Sequence, residues 1–285
     1  MKYAVLGASG MLGVDLLDHL LLKGIDASGF SSVDLDFRDL ELLQTTRKLE
    51  TFDVVINAAA FTDVPGAESN ESLANQVNGY AAGIIAQSCR SIGNRLFHIS
   101  TDYVFSGASY NPYRIDSMAD PINAYGRSKA LGENLVIAAG AGSTILRTSW
   151  LYGSRGKCFP KTIATKLRKG EIVNVVNDQI GQPTWTKDLA QQILQYSEFE
   201  NAPEILHVAS SGQASWFDFA SAIATSSGKN PEQSVKPVSS ADFPTAVKRP
   251  SFSVLDLSAS PLAPITDWES RWLAAESEIR SSLGD

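Results

Sequence analysis

Gly7, Gly10 and Gly13 follow directly on the apolar run Tyr3-Ala4-Val5-Leu6 and open a segment in which Leu12, Leu16, Leu17, Leu20 and Leu21 recur at helical spacing. A short, continuous apolar run reads as a strand buried in a parallel sheet. Lys23-Gly24 supplies the stop signal of the helix. Few folds use the order strand, glycine loop, helix. In the one it fits best, Gly7 permits the tight turn, Gly10 lets a pyrophosphate approach the backbone, and Gly13 lets the helix pack closely on the strand. An anion then sits at the helix N-terminus, where free N–H groups and the macrodipole favour negative charge. The spacing is GxxGxxG rather than GxGxxG.

Further along, DVVINAAA (53–60), RLFHIS (95–100) and STILRTSW (143–150) read as strands, with helical patterns over 73–92 and 124–136. Repeated β–α–β order predicts an α/β fold, a Rossmann-type doubly wound parallel sheet with helices on both faces. After Trp150 the order loosens, and Gly, Pro, Ser and Asn become frequent in GSRGKCFP, VNDQIGQPTW and KPVSSADFPTAVKRPS. LHVASSG (206–212) returns to the sheet. The expected division is therefore a NAD(P)-binding domain over 1–152 and 184–212, and a smaller, loop-rich C-terminal substrate lobe over 153–183 and 213–285.

Bulk properties exclude several classes. The net charge of −7 argues against a nucleic-acid binder. No apolar stretch approaches the ~20 residues that span a membrane, and no signal peptide precedes the first strand. Two cysteines, Cys89 and Cys158, are too few for a disulfide framework, so a cytoplasmic protein is expected. His19, His98 and His207 are scattered and no HxxxH or CxxC occurs, so no transition-metal site is predicted. His98 reads as a core residue.

Ligands of such sheets bind beyond the carboxyl ends of the strands. Three segments fall there: Asn57-Ala58-Ala59-Ala60, Ser100-Thr101-Asp102-Tyr103 and Arg147-Thr148-Ser149-Trp150. The small alanines leave room for a flat cofactor, and the hydroxyls can hold a carbonyl oxygen. Strand-end turn chemistry explains Ser100 and Thr101 equally, and lobe packing explains Trp150. Tyr125 and Lys129 lie about one helical turn apart, on one helix face. A neighbouring cation favours the phenolate, although taken alone the YxxxK spacing is a common coincidence.

Together these residues resemble the extended short-chain dehydrogenase/reductases, whose signature pair is GxxGxxG with YxxxK. More narrowly they resemble the dTDP-4-dehydrorhamnose reductases. The matching segments are NAAAFTD (57–63), HISTDYVFSG (98–107), PINAYGRSKALGE (121–133), RTSWLYG (147–153), VNDQIGQPTW (176–185), LHVASSGQASWFDFA (206–220) and RPSFSVLD (249–256). The resemblance implies reduction of the C4 ketone of a dTDP-4-dehydro-6-deoxysugar to dTDP-L-rhamnose with NADPH, NADH being accepted as well. Tyr125 would protonate the C4 oxygen, Thr101 would bind that oxygen, and Lys129 would hold the nicotinamide ribose and depress the tyrosine pKa. Gly7, Ser9, Gly10, Met11 and Leu12 would lie under the pyrophosphate, Asp36 and Phe37 beside the adenine, and Ala58, Ala59, Ala60 and Ser100 along the cofactor groove. Asp102, Tyr103, Trp150 and Arg249 would contact the sugar nucleotide. Independently of the resemblance, Lys248 or Arg249, beside Pro250 in an otherwise acidic chain, is expected to meet the diphosphate. The protein would be a monomer or homodimer, with no membrane or nucleic-acid partner.

Cofactor choice is normally made at the end of the second strand, where an acidic residue repels a 2′-phosphate. Here Ser28-Gly29-Phe30-Ser31-Ser32 carries no carboxylate before Asp34, so Ser31 and Ser32 are expected to favour NADPH. Two departures stand out. Pro65-Gly66 replaces an Asp-Lys pair common in the family, which opens the sugar specificity. Family members that bind Mg²⁺ do so through glutamates, at positions matched here to Asp15 and Lys187, and a lysine would repel the ion. The alternatives are a 4-ketoreductase for a related dTDP-deoxysugar and a non-catalytic regulatory protein on the same scaffold.

Overall fold

The structure, a computed structural model, describes residues 1–140, 142–242 and 247–284. Six strands form the main sheet: β1 (Tyr3–Leu6), β2 (Ala27–Phe30), β3 (Val54–Asn57), β4 (Arg95–Thr101), β5 (Ser143–Thr148) and β6 (Ile205–His207). Their spatial order is β6-β5-β4-β3-β1-β2, and every pairing is parallel. The α/β, doubly wound class expected from the glycine loop is therefore the observed one. Register aligns the carboxyl ends: Leu6 opposite Asn57, Asn57 opposite His98, and Thr101 opposite Thr148. That alignment builds a single rim from residues about fifty apart in sequence.

The helices used below are α1 (Met11–Leu22), α2 (Ala81–Ile92), α3 (Ala124–Ala138), α4 (Phe159–Arg168), α5 (Thr186–Ser197), α6 (Trp216–Ser226) and α7 (Trp268–Ser281). On one face of the sheet, Leu12, Leu16 and Leu20 of α1 share a core with Leu189 and Ile193 of α5. On the other, Ile85 and Ala86 of α2 and Val136 of α3 cover Ala4, Leu6, Val55 and Leu96. The apolar periodicity of α1 thus sets which side it covers.

A separate core lies under the C-terminal half. Ile163 and Leu167 of α4, Phe219 and Ile223 of α6, and Trp272 and Ile279 of α7 meet there around Tyr152. Short strand pairs knit it together: 173–176 with 235–238, 180–181 with 214–215, and 151–152 with 184–185. No helix among the described residues is long and apolar enough to cross a membrane.

The helical pattern over 73–92 is not one regular helix. Glu71–Ala74 leads through a π-helical turn, Asn75–Tyr80, into α2. Packing against α3 accompanies the change, because a Cβ at Gly79 would stand 2.6 Å from the Leu131 side chain and one at Gly83 2.8 Å from Leu135. Such π-turns recur at functional sites.

Candidate active site

A cleft of about 280 Å³ opens at the ends of β1, β2 and β3, lined by Gly7, Ser9, Gly10, Ser31, Ser32, Asp36, Phe37, Arg38 and Ala58 to Ala60, among others. Its floor fits a flat phosphorylated cofactor. Gly7 has φ +77°, and a Cβ there would stand 2.6 Å from the Ala59 nitrogen; at Gly13 a Cβ would meet the Gly7 carbonyl at 2.2 Å. Gly10 begins α1 with no side-chain cap. The first N–H groups of α1, including those of Met11 and Leu12, therefore have no intrahelical acceptor and can take an anion.

The adenosine end of the cleft differs from expectation. The Ser31 hydroxyl donates to Asp34 Oδ2 at 2.8 Å, and the Ser31 N–H donates to the same oxygen. Ser31 is thus committed to Asp34 rather than free for a phosphate, because the chain turns straight back after β2. The cation lining this end is Arg38, which grips Asp36 through Nε and Nη2 at 2.7–3.0 Å. That fork holds the Asp36 carboxyl below its usual pKa.

At the end of β4, Thr101 meets the start of α3. The contact is close because a Cβ at Gly126 would lie 2.2 Å from the Tyr103 carbonyl. Asn123 caps the helix by accepting from the Gly126 N–H. Tyr125 thereby comes beside Thr101 and packs edge-on against Tyr103, with ring centroids 5.9 Å apart. Lys129, one turn on, is buried and donates to the Ile99 carbonyl at 2.6 Å, with His98 Nε2 at 3.4 Å. Burial lowers its pKa to about 8, partly offset by Glu133. The depressed tyrosine pKa expected from Lys129 is not found in the protein alone. Burial pushes the Tyr125 phenol up, because desolvation disfavours the phenolate. A phenol that stays protonated suits an acid.

Two of the expected site residues turn their side chains inward. Ser100 points into the protein, its hydroxyl donating to Glu133 Oε1 at 2.5 Å, so it presents no hydroxyl to a cofactor. Glu133 is also forked by Arg147 at 2.7–3.2 Å. Breaking such a buried pair from one side costs about 3–5 kcal/mol. Asp102 is likewise inside, 2% exposed, and its carboxylate accepts from Thr101, Ser149 and Ser253 rather than facing a sugar.

The remaining residues converge from the C-terminal half. Trp150 carries the one positive φ of a non-glycine among the described residues, +47°, a strain that recurs at functional sites. Its ring lies flat on Trp216, centroids 3.5 Å apart, and Gly181 is forced by its edge, 2.3 Å from where a Cβ would stand. The Arg249 guanidinium lies beside the Tyr103 phenol, and its Nε is buried without a partner among the described residues. Lys248 is exposed; its carbonyl accepts from Asn123.

Sequence reading missed Asn78, Trp216 and Ser253 as parts of this site. Asn78, within the π-turn, bonds both backbone groups of Phe61 and donates to Ser128, whose hydroxyl donates to the Tyr125 carbonyl. It ties the cleft wall to the tyrosine helix. A plain helical pattern hides such a role. Trp216 and Ser253 sit within the quoted 206–220 and 249–256 motifs, so a signal for them existed.

The residues at the matched Mg²⁺ positions do not fit a divalent ion. Lys187 Nζ donates to Glu278 Oε2 at 2.5 Å, and Asp15 accepts from Thr186. No group of His, Cys, Asp or Glu among the described residues is arranged to hold a metal.

A glycine cradle beside a Thr–Tyr–Lys set on a doubly wound sheet defines a dinucleotide-dependent oxidoreductase of the short-chain type. Within that class, the chain belongs to the RmlD substrate binding domain family, whose sequence profile matches residues 1–276. It is 38% identical over 272 residues to the dTDP-4-dehydrorhamnose reductase of Mycolicibacterium smegmatis, covering 94% of this chain and 82% of that protein. It is 39% identical over 273 residues to the dTDP-4-keto-6-deoxy-D-glucose reductase of Streptomyces niveus, covering 94% and 93%. The crystal structure of dTDP-4-dehydrorhamnose reductase from Bacillus anthracis in complex with NADP superposes with a TM-score of 0.91 at 32% identity, covering 98% of this chain and 100% of that one.

Proposed function

We propose that this protein reduces the C4 ketone of dTDP-4-dehydrorhamnose to dTDP-L-rhamnose, using NADPH in preference to NADH. The observation that carries the reading is the placement of Tyr125, held protonated by burial and beside Thr101, at the strand end next to the glycine-floored cleft. When bound, the cofactor supplies a hydride. The chain supplies the rest. Gly7, Gly10 and the first turn of α1 accept the pyrophosphate, and Ala58 to Ala60 leave room for a flat ring. Tyr125 gives its proton to the C4 oxygen, a role that contributes about 10²–10⁴ in rate. Lys129, fixed on the Ile99 carbonyl, keeps its ammonium beneath that tyrosine's helix turn. Trp150 and Trp216 offer the sugar nucleotide an aromatic wall, and the unpartnered Arg249 Nε offers its phosphates a donor. Trp216 packs against the second core around Tyr152, which we take as the substrate lobe. We place the enzyme in the cytoplasm, as a monomer or homodimer.

A second reading has one observation in its favour. Pro65-Gly66 form the first turn of a short helix, Val64–Ser69, whose Glu68 accepts from the Ala124 N–H beside Tyr125. The altered pair therefore borders the catalytic tyrosine, where a different 4-keto-6-deoxyhexose would be distinguished. The test is NADPH consumption over a panel of dTDP-4-keto-6-deoxysugars with product analysis. The highest kcat/KM is expected for dTDP-4-dehydrorhamnose. Preference for a gluco-configured ketone would support the second reading, and no turnover of any member would overturn both.

A further inference from the structure

We propose that His98 is a positioning residue for Lys129: fixed by Asn57 with its hydrogen on Nε2, it meets Lys129 with a donor where an ammonium needs an acceptor, and so couples dinucleotide binding, which supplies acceptors, to uptake of a proton by Lys129. This role rests on the reductase reading and gives chemistry to a residue that burial alone would leave as core.

Three hydrogen bonds fix the polarity. Asn57 is wholly buried at the end of β3, and its Oδ1 accepts from the Ala59 N–H at 3.1 Å. A backbone N–H can only donate, so the amide oxygen faces the loop and the amide N–H₂ is left for His98. Asn57 Nδ2 meets His98 Nδ1 at 3.1 Å. Nδ1 is therefore the acceptor, and a neutral imidazole that accepts there carries its hydrogen on Nε2. Burial, with Lys129 as the lesser cause, keeps the ring neutral, its pKa well below 6.5. Nε2 in turn lies 3.4 Å from Lys129 Nζ.

An ammonium has three hydrogens and no lone pair. Among the described residues Nζ has two hydrogen-bond neighbours, and one of them, the Ile99 carbonyl at 2.6 Å, can accept. The free amine has a lone pair to which Nε2–H can donate. A hydrogen bond to the neutral form disfavours the charged one, in the same direction as burial, which brings Lys129 down to about 8. Glu133, one turn on, pulls the other way, but Arg147 of β5 and Ser100 of β4 hold its carboxylate. Tyr125, one turn before, is kept uncharged by burial. Asn57 also ties this set to the cofactor cleft, because Ala59 lines it.

Binding of NADPH in alkaline buffer should therefore draw a proton from solvent onto the Nζ lone pair. Calorimetry of NADPH binding in two buffers of different ionisation enthalpy counts that proton without turnover. At about pH 9, where an ordinary lysine is still protonated, wild type is expected to take up about 0.5–0.9 proton per NADPH. His98→Phe fills the same space with no donor. The rising limb of its uptake–pH profile is expected to move up by about one unit, a tenfold change in the lysine equilibrium. Wild-type uptake below about 0.2 proton at about pH 9, or an unmoved limb in the variant, overturns the proposal. Nitrogen NMR of the wild-type rings gives a second reading that needs no variant to fold. His98 is expected to carry its hydrogen on Nε2, and His207, whose Nδ1 faces the Asp256 carbonyl at 3.1 Å, on Nδ1. A His98 hydrogen on Nδ1, or on both nitrogens, overturns the proposal. NADPH that binds without proton uptake counts against His98 alone, whereas no binding and no turnover by wild type counts against the reductase reading and takes the proposal with it.

Discussion

The cofactor cleft and the aromatic wall proposed for the sugar are built by opposite means. The cleft uses backbone and absence of side chain: Gly7, Gly10 and Gly13 within one turn, and three alanines after β3. The wall uses large side chains brought from far apart, with Trp150 after β5 lying on Trp216 of α6, Gly181 against the Trp150 edge, and Arg249 reaching Tyr103. The first is rigid because nothing larger fits. The second is held by tertiary packing and by a strained backbone at Trp150. The difference teaches that the two ligands should respond separately to mutation, with Tyr125 standing where the halves meet.

The sharpest way to break that separation is at the glycine floor. Gly7→Val places a side chain against the Ala59 backbone and in a left-handed conformation, which by itself costs about 1–2 kcal/mol. NADPH affinity measured by fluorescence titration is expected to fall by about 10² or more, with dTDP affinity changed by less than about threefold. A parallel loss of both would show that the halves are one unit. Arg38→Ala sharpens the comparison within the cleft. Because Ser31 is held by Asp34, Arg38 is the cation that joins Ser32 in favouring a 2′-phosphate, and in Arg38→Ala the ratio of kcat/KM for NADPH over NADH should fall by about tenfold. An unchanged ratio would assign the preference elsewhere. On the other side, Trp216→Ala removes the plate under Trp150. Stacked aromatic pairs are worth about 0.5–1.5 kcal/mol, so KM for the sugar nucleotide should rise by about fivefold, while KM for NADPH stays level. The smallest effect is one of stability. His207 is held neutral by burial and by Arg147, its pKa lowered from 6.5 to about 4. The unfolded chain therefore binds the extra proton, and the stabilisation present above pH 6.5 is lost as pH falls toward 4. Tm should decline by a few degrees over that window, at ~2–4 °C per kcal/mol, and His207→Gln should decline less.

The contrast also explains what the sequence displayed. The cleft was legible because its chemistry lies in contiguous motifs: a strand, a glycine loop and a helix read in order, and β3 and β4 ended where their apolar runs ended. The Tyr125–Lys129 spacing was equally visible. What the residues facing inward do was not. Ser100 and Asp102 read as cofactor-binding and substrate-binding residues, yet the side chains of both turn into the protein, toward Glu133 and toward Thr101, Ser149 and Ser253. Strand alternation was too short at the end of β4 to tell the two directions apart. Asn78 was hidden in a helical pattern, since a π-turn keeps helical spacing on either side of it. Tyr125 is raised rather than lowered in the protein alone because burial, which sequence spacing does not reveal, disfavours the phenolate, and the lowering expected of Lys129 together with a charged nicotinamide belongs to the loaded site.

The central claim is that Tyr125 supplies the proton and takes no necessary part in holding the cofactor. It is tested most directly by Tyr125→Phe, with kcat and NADPH dissociation constant measured on the same preparation. The account predicts a kcat lower by about 10²–10⁴ with the dissociation constant within about threefold of wild type. A variant that keeps more than about a tenth of wild-type kcat, or one that loses cofactor in proportion to activity, would contradict it.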